Sequence, residues 1–166
     1  MLSIELYVLQ LDSSQHVLAN NIKDVTHEES LIQPLPGGGN CMNWIVGHII
    51  FARNQMLGAL GRESIWDESI GSRYRRGGEP IVEGDTTARR FETLVQDLSL
   101  TYTRIRPALA SCDEGRMDEK APFSPSKNEK ETWGTLFSTL LFHEVYHSGQ
   151  TGVLRRVIGK TEDNLT

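Results

Sequence analysis

Apolar residues recur along four stretches of the chain at the three- and four-residue steps of an amphipathic helix. In the first, Ile4, Tyr7, Leu11, Leu18, Ile22 and Val25 fall on one side, which predicts a helix from about Ser3 to Asp24. The run Pro34-Leu35-Pro36-Gly37-Gly38-Gly39 stops any helix. Asn40 then stands where an N-cap should precede a second helix over Cys41 to Leu60, which Gly61 closes. Thr86 or Thr87 can cap a third, whose Phe91, Leu94, Val95, Leu98, Tyr102, Ile105 and Leu109 share a face. The fourth runs from about Lys130 to Ile158, with Gly159 placed to end it.

The period lapses twice. From Arg62 to Asp85 the chain turns to Gly, Arg, Ser and Glu, and from Ser111 to Glu129 it carries Pro122 and Pro125, so both read as long connections. Ser64 to Trp66 or Pro80 to Val82 can supply a short extended piece, but no set of strands is predicted. The expectation is an all-α chain: a single domain over 1–166, folded as a four-helix bundle with long connections after helices two and three. At 166 residues it is long enough for one hydrophobic core.

Charge and composition narrow the partners. A net charge of -5 opposes general binding to nucleic acid, which calls for a basic surface. The apolar stretches Trp44 to Ala52 and Leu136 to Phe142 are far shorter than the roughly 20 residues a bilayer needs, so no membrane span is expected. Met1-Leu2-Ser3-Ile4-Glu5 lacks a basic, cleavable leader. Cys41 and Cys112 form neither a disulfide framework nor a paired zinc-ribbon motif, and a cytoplasmic location follows as the expectation.

The chemistry lies on two helix seams. In the fourth helix Leu136, Leu140, His143, His147, Gln150 and Leu154 alternate steps of four and three, so two imidazoles stand where leucines belong. Side chains at i and i+4 lie one above the other, and His143 and His147 can therefore address one ion. His48, one turn after Trp44 and one turn before Phe51, also looks inward. Three histidines from two helices leave a metal with open positions, as in catalytic zinc sites. Taken alone, each histidine can equally be a satisfied core or rim residue, and His16 and His27 are read that way, His27 near a helix end. Cys41 lies about two turns before His48, too far to share its ion.

His143-Glu144-Val145-Tyr146-His147 also matches the His-Glu-x-x-His helix of zinc proteases. The extended motif fails, because Gln150 and Val153 occupy the later Gly and His positions, and only Glu162 is offered as a distant carboxylate ligand. Glu144 is offset by about 100 degrees from His143, which leaves a supporting or general-base role against a solvent-facing or interhelical pair. Gln150 either bonds a ligand on the metal or is a buried amide satisfied locally. Tyr146 reads as packing or interface, and Trp44 as a core anchor or pocket wall. Arg73, Arg75 and Arg76, grouped around Tyr74 in the long second connection, can cover the site and hold an anionic cofactor, or form a solvated loop. Gly37-Gly38-Gly39-Asn40 lacks the rest of a phosphate-binding loop and reads as turn and cap.

Trp44-Ile45-Val46-Gly47-His48-Ile49, followed by His143-Glu144-Val145-Tyr146-His147-Ser148-Gly149-Gln150, resembles the DinB/YfiT-like family of bacterial proteins. The resemblance covers nearly the whole chain, with the N-terminal helix, the Pro-Gly turn and the final His-x-x-Tyr-His-x-Gly-Gln helix in the family's order. It implies a four-helix bundle holding a divalent metal on His48, His143 and His147. Ser148 departs from the basic residue many members carry there. The family includes thiol S-transferases, which implies a low-molecular-weight thiol cosubstrate, a small electrophilic substrate and a homodimer. Zinc or nickel is the expected metal. Two alternatives stand beside the transferase: a hydrolase that activates water against an ester or amide, and a non-catalytic dimeric bundle with a structural metal.

Overall fold

The computed structural model describes residues 3–36 and 38–161; Gly37 and Glu162 lie outside them. The described residues form six α-helices and one 3-10 turn, with no strand among them beyond two isolated bridges, Leu35 with Gly38 and Lys120 with Thr132. The extended pieces expected at Ser64 to Trp66 and Pro80 to Val82 do not form.

Helix α1 spans Ile4–Ile22, its first turn capped by the Ser3 hydroxyl, which accepts the Leu6 N–H. It stops short of Asp24, which takes a left-handed φ of 57° that breaks the helix. A four-residue helix α2, His27–Ser30, follows, closed by a reciprocal capping box between Thr26 and Glu29. His27 therefore belongs to its own helix, where it is buried and its Nδ1 accepts the Phe91 N–H.

Helix α3 covers Met42–Ala59, and its cap is Cys41 rather than Asn40. Cys41 makes no capping bond; it is fully buried with its thiol on the Ile81 carbonyl, and burial pushes its pKa up. Gly61 ends the helix as expected, at φ +67°. The long connection contains an unexpected helix α4, Glu68–Tyr74, begun by the Asp67 carboxylate accepting the Ile70 N–H. Only Gly71 and Tyr74 of α4 are buried, too few to print an apolar period on the sequence.

Helix α5 runs over Phe91–Ala110 and starts later than expected, because Thr87 spends its amide and hydroxyl on Asp85 in a turn instead of capping a helix. A 3-10 turn at Glu114–Asp118 interrupts the next connection. Helix α6, Trp133–Val157, is capped by Thr132 with Thr135, and Lys130 stays outside.

The four long helices form a closed ring of neighbours, α1 and α3 each packing on both α5 and α6. The interior is not one core. Trp44, Ile45, Ile49, Phe91, Leu94 and Leu98 belong to one apolar cluster, and Leu11, Leu57, Ile105, Leu136, Phe137 and Leu141 to another. Between them, each long helix contributes buried polar residues: Ser14, Arg53, Thr101 and Glu144. Both polar groupings described below start from this middle layer.

Candidate metal centre

His48 reaches the interior from the middle of α3, its ring stacked on Trp44 at 4.5 Å between centroids and 16° between planes. Phe51 lies nearly parallel on the same helix, at 6.3 Å and 15°. Position 47 must be glycine here, because a Cβ would stand 2.1 Å from the Tyr74 ring. That close approach docks the end of α4 on α3. It brings the Tyr74 carbonyl to His48, whose Nδ1–H donates to it at 2.7 Å.

From α6, His143 and His147 face His48. Nε2 of His143 lies 3.0 Å from Nε2 of His48 and 3.1 Å from Nε2 of His147, and the three atoms fall within 4.8 Å of one another. Nδ1 of His147 donates to the Gln150 amide oxygen at 2.6 Å. Two rings thus have their protons fixed on Nδ1 by outer partners, leaving Nε2 lone pairs aimed at a common point.

Protein groups alone do not satisfy this arrangement. A neutral imidazole carries one N–H, so His143 can serve only one of the two acceptors beside its Nε2. Its Nδ1, meanwhile, is buried without a hydrogen-bond partner among the described residues. A cation bound by all three Nε2 atoms removes the conflict, since two nitrogens on one zinc ion sit roughly 3.3 Å apart at the tetrahedral angle. The residues fit a divalent metal.

The electrostatics point the same way. Burial disfavours the charged imidazolium, holding His48 and His147 below the ordinary histidine pKa, although the Tyr74 and Gln150 bonds oppose it. His143, desolvated and facing the other two, is pushed down to about 4. All three are neutral at pH 7, the form that binds metal.

The other residues singled out by sequence divide clearly. Gln150 orients His147 and is spent on that bond. Glu144 forms the interhelical pair: Arg53 donates Nε to one carboxylate oxygen at 2.9 Å and Nη2 to the other at 2.7 Å. Ser14 adds a hydroxyl bond at 2.5 Å. With both oxygens occupied and the group buried, the protease reading loses its water-activating Glu. Arg73 braces its own loop on Asp85 and on the carbonyls of Glu79 and Pro80, rather than offering itself to an anion. Arg75 makes an exposed pair with Glu68 at 3.6 Å, and Arg76 is exposed. No hydrogen bond or ion pair joins these three arginines to the histidines. Tyr146 is exposed, its ring centroid 5.1 Å from that of His147, and His16 is exposed beside Asn20.

Sequence reasoning placed Tyr74 in a segment that can cover the site but missed its backbone carbonyl's bond to His48, and it missed Arg53. The signal for Arg53 was present as the one charged residue inside Met42–Ala59.

The chain matches no curated protein. A crystal structure of a conserved protein from Enterococcus faecalis is similar in fold, with a TM-score of 0.69 at 16% sequence identity, covering 95% of this chain and 98% of that one. The family model of the DinB superfamily matches residues 10–151. With that match over most of its length, the chain belongs to the DinB superfamily.

Proposed function

We propose that the protein is a metal-dependent enzyme that transfers a low-molecular-weight thiol to an electrophilic small molecule. The observation that carries this reading is the convergence of three imidazole Nε2 atoms at 3.0 and 3.1 Å, contacts that neutral rings with protons held on Nδ1 cannot satisfy among themselves. His48, His143 and His147 hold the ion through Nε2, while the Tyr74 carbonyl and Gln150 fix two of the rings. A divalent ion held there, zinc or nickel, would lower the pKa of a thiol and so supply thiolate at neutral pH. The sulfur then attacks an electrophilic carbon, a thioether bond forms, and the leaving group departs with the bonding pair as the thiol proton passes to solvent. Arg75 and Arg76 directly follow Tyr74 in sequence and offer positive charge to a carboxylate on the thiol.

Among the described residues, no helix is long and apolar enough to cross a membrane. We place the protein in the cytoplasm, where thiols stay reduced. A homodimer is the second part of the proposal. It rests on the exposed apolar side chains Leu6 and Leu9 of α1 and Phe142, Val145 and Val153 of α6, two helices that pack side by side.

The test is elemental analysis of protein purified without a nickel column, beside His48→Ala and His143→Ala. About one equivalent of metal in the parent and little in both variants is expected. Consumption of 1-chloro-2,4-dinitrobenzene only when both metal and added thiol are present supports the transferase. Turnover of an ester without thiol replaces it with the hydrolase. Retained metal with neither activity leaves the non-catalytic bundle.

A further inference from the structure

A cavity of about 420 Å³ opens beside α3 at the C-terminal side of His48. Its volume lies within the range of small-molecule sites. Phe51, Gln55 and Gly58 line it from α3, Trp66 and Glu68 from around α4, and Phe123 from the connection before α6. Phe51 is shared with the histidine centre: one end of the cavity is the ring stacked on His48.

Helix α4 lies alongside α3, with Tyr74 at Gly47 and Gly71 against Phe51. Glu68, six residues before Tyr74, stands about 9 Å further along the α4 axis. The cavity therefore joins an aromatic wall that includes Phe51, stacked on His48, to the carboxylates of Asp67 and Glu68, which carry the only ionised side chains among the residues that line it. Trp66 is fixed in place by its indole N–H, which donates to Asp97 at 2.8 Å. The Ser69 hydroxyl and the Ile70 amide hold the Asp67 carboxyl below its usual range, so it is charged at neutral pH. The Arg75 contact to Glu68, at 3.6 Å with both side chains mostly exposed, is of a kind that opens at little cost.

We propose that this cavity seats the non-reacting part of the substrate and selects an organic cation: an apolar or aromatic body against Phe51, Trp66 and Phe123, with an ammonium at Asp67 and Glu68. Aromatic faces and carboxylates both attract such a charge, and both repel a carboxylate ligand. The positive group then lies about 4.5 Å along the α4 axis from Gly71, which lies against Phe51 and marks the end of the ligand that meets the histidine centre. The placing of that reacting end rests on the proposed function; binding in the cavity does not.

Gly58 makes the test sharp. It lies within helical backbone, and a Cβ there meets nothing within 4 Å, so Gly58→Leu fills the cavity without disturbing α3. The probes are 3-phenylpropylamine, 3-phenylpropan-1-ol and 3-phenylpropanoate, titrated by calorimetry into metal-free and zinc-loaded protein. The amine is expected to bind about tenfold or more tighter than the alcohol, and the propanoate weakest. Asp67→Asn with Glu68→Gln, which retains a capping side chain at 67, brings the amine down to the alcohol's affinity. Gly58→Leu removes binding of the amine and the alcohol while its melting temperature is kept or raised. Equal affinity for the three probes, or amine binding untouched by either variant, overturns the proposal. Because the readout is binding with and without zinc, that failure is separate from a failure to find metal or thiol transfer.

Discussion

Two buried polar groupings sit between the same pair of helices, and they are built on opposite principles. Arg53 of α3 and Glu144 of α6 form a closed set. The guanidinium donates to both carboxylate oxygens, to the Gln15 side chain and to the Leu98 carbonyl, while Ser14 completes Glu144. His48 and His143, five positions before Arg53 and one before Glu144, form an open set, with lone pairs pointed at each other and one ring nitrogen unpartnered. A closed network specifies how the helices pack. In an open one, the converging Nε2 lone pairs are a demand that a cation would meet, and this part of the incompleteness fits a binding centre.

The contrast breaks most visibly at Arg53. Arg53→Met leaves Glu144 buried and uncompensated and is expected to cost about 3–5 kcal/mol in urea unfolding. Adding Glu144→Leu should restore much of that loss; a double variant as unstable as the single one would mean that the pair's net attraction, not its mutual compensation, holds the layer together. The histidine centre should behave in the reverse sense. His143→Leu in metal-free protein is expected to match or exceed the parent in stability. Zinc at about a hundred times its Kd should stabilise the parent alone, by about 2.7 kcal/mol, read as a shift in melting temperature. Gln150→Leu, which frees His147 to turn, should weaken zinc binding by about 10–100-fold in competition with a chelator, with little change in the metal-free melting temperature.

The same contrast shows in the effect of pH on the metal-free protein. The three histidine pKa values are depressed in the folded state, that of His143 to about 4, so below the unfolded value of 6.5 the unfolded chain binds more protons. Stability from this source is complete above pH 6.5 and declines as pH falls toward about 4, by at most about 1.4 kcal/mol per pH unit for each proton. Unfolding midpoints measured across that window should flatten for His143→Leu relative to the parent.

The long helices and the three histidines were legible in sequence because each writes a period: apolar residues every three or four positions, then imidazoles in the same register. The ends were less so. Thr87 and Asn40 carry capping side chains, yet Thr87 serves a turn with Asp85, and the helix begins instead after Cys41, whose thiol faces the core. Helix α4 was hidden because only two of its residues are buried. The Arg53 pairing was hidden because its partners come from three other helices, and nothing local records such a meeting. Tyr74 was illegible as a supporter of His48 because any residue has a carbonyl; what selects this one is the glycine opposite its ring.

That glycine also sets a time scale. Helix α4 has seven residues, of which only Gly71 and Tyr74 are buried, and it is held at its end by the Tyr74 ring over Gly47 and by the Tyr74 hydroxyl on Asn43. When it lifts, His48 loses the carbonyl that fixes its proton while the long helices stay closed. Loading and loss of a divalent ion there would then follow the detachment of one short segment, and the expected outcome is that amide hydrogen exchange around Tyr74 runs at the rhythm of metal exchange.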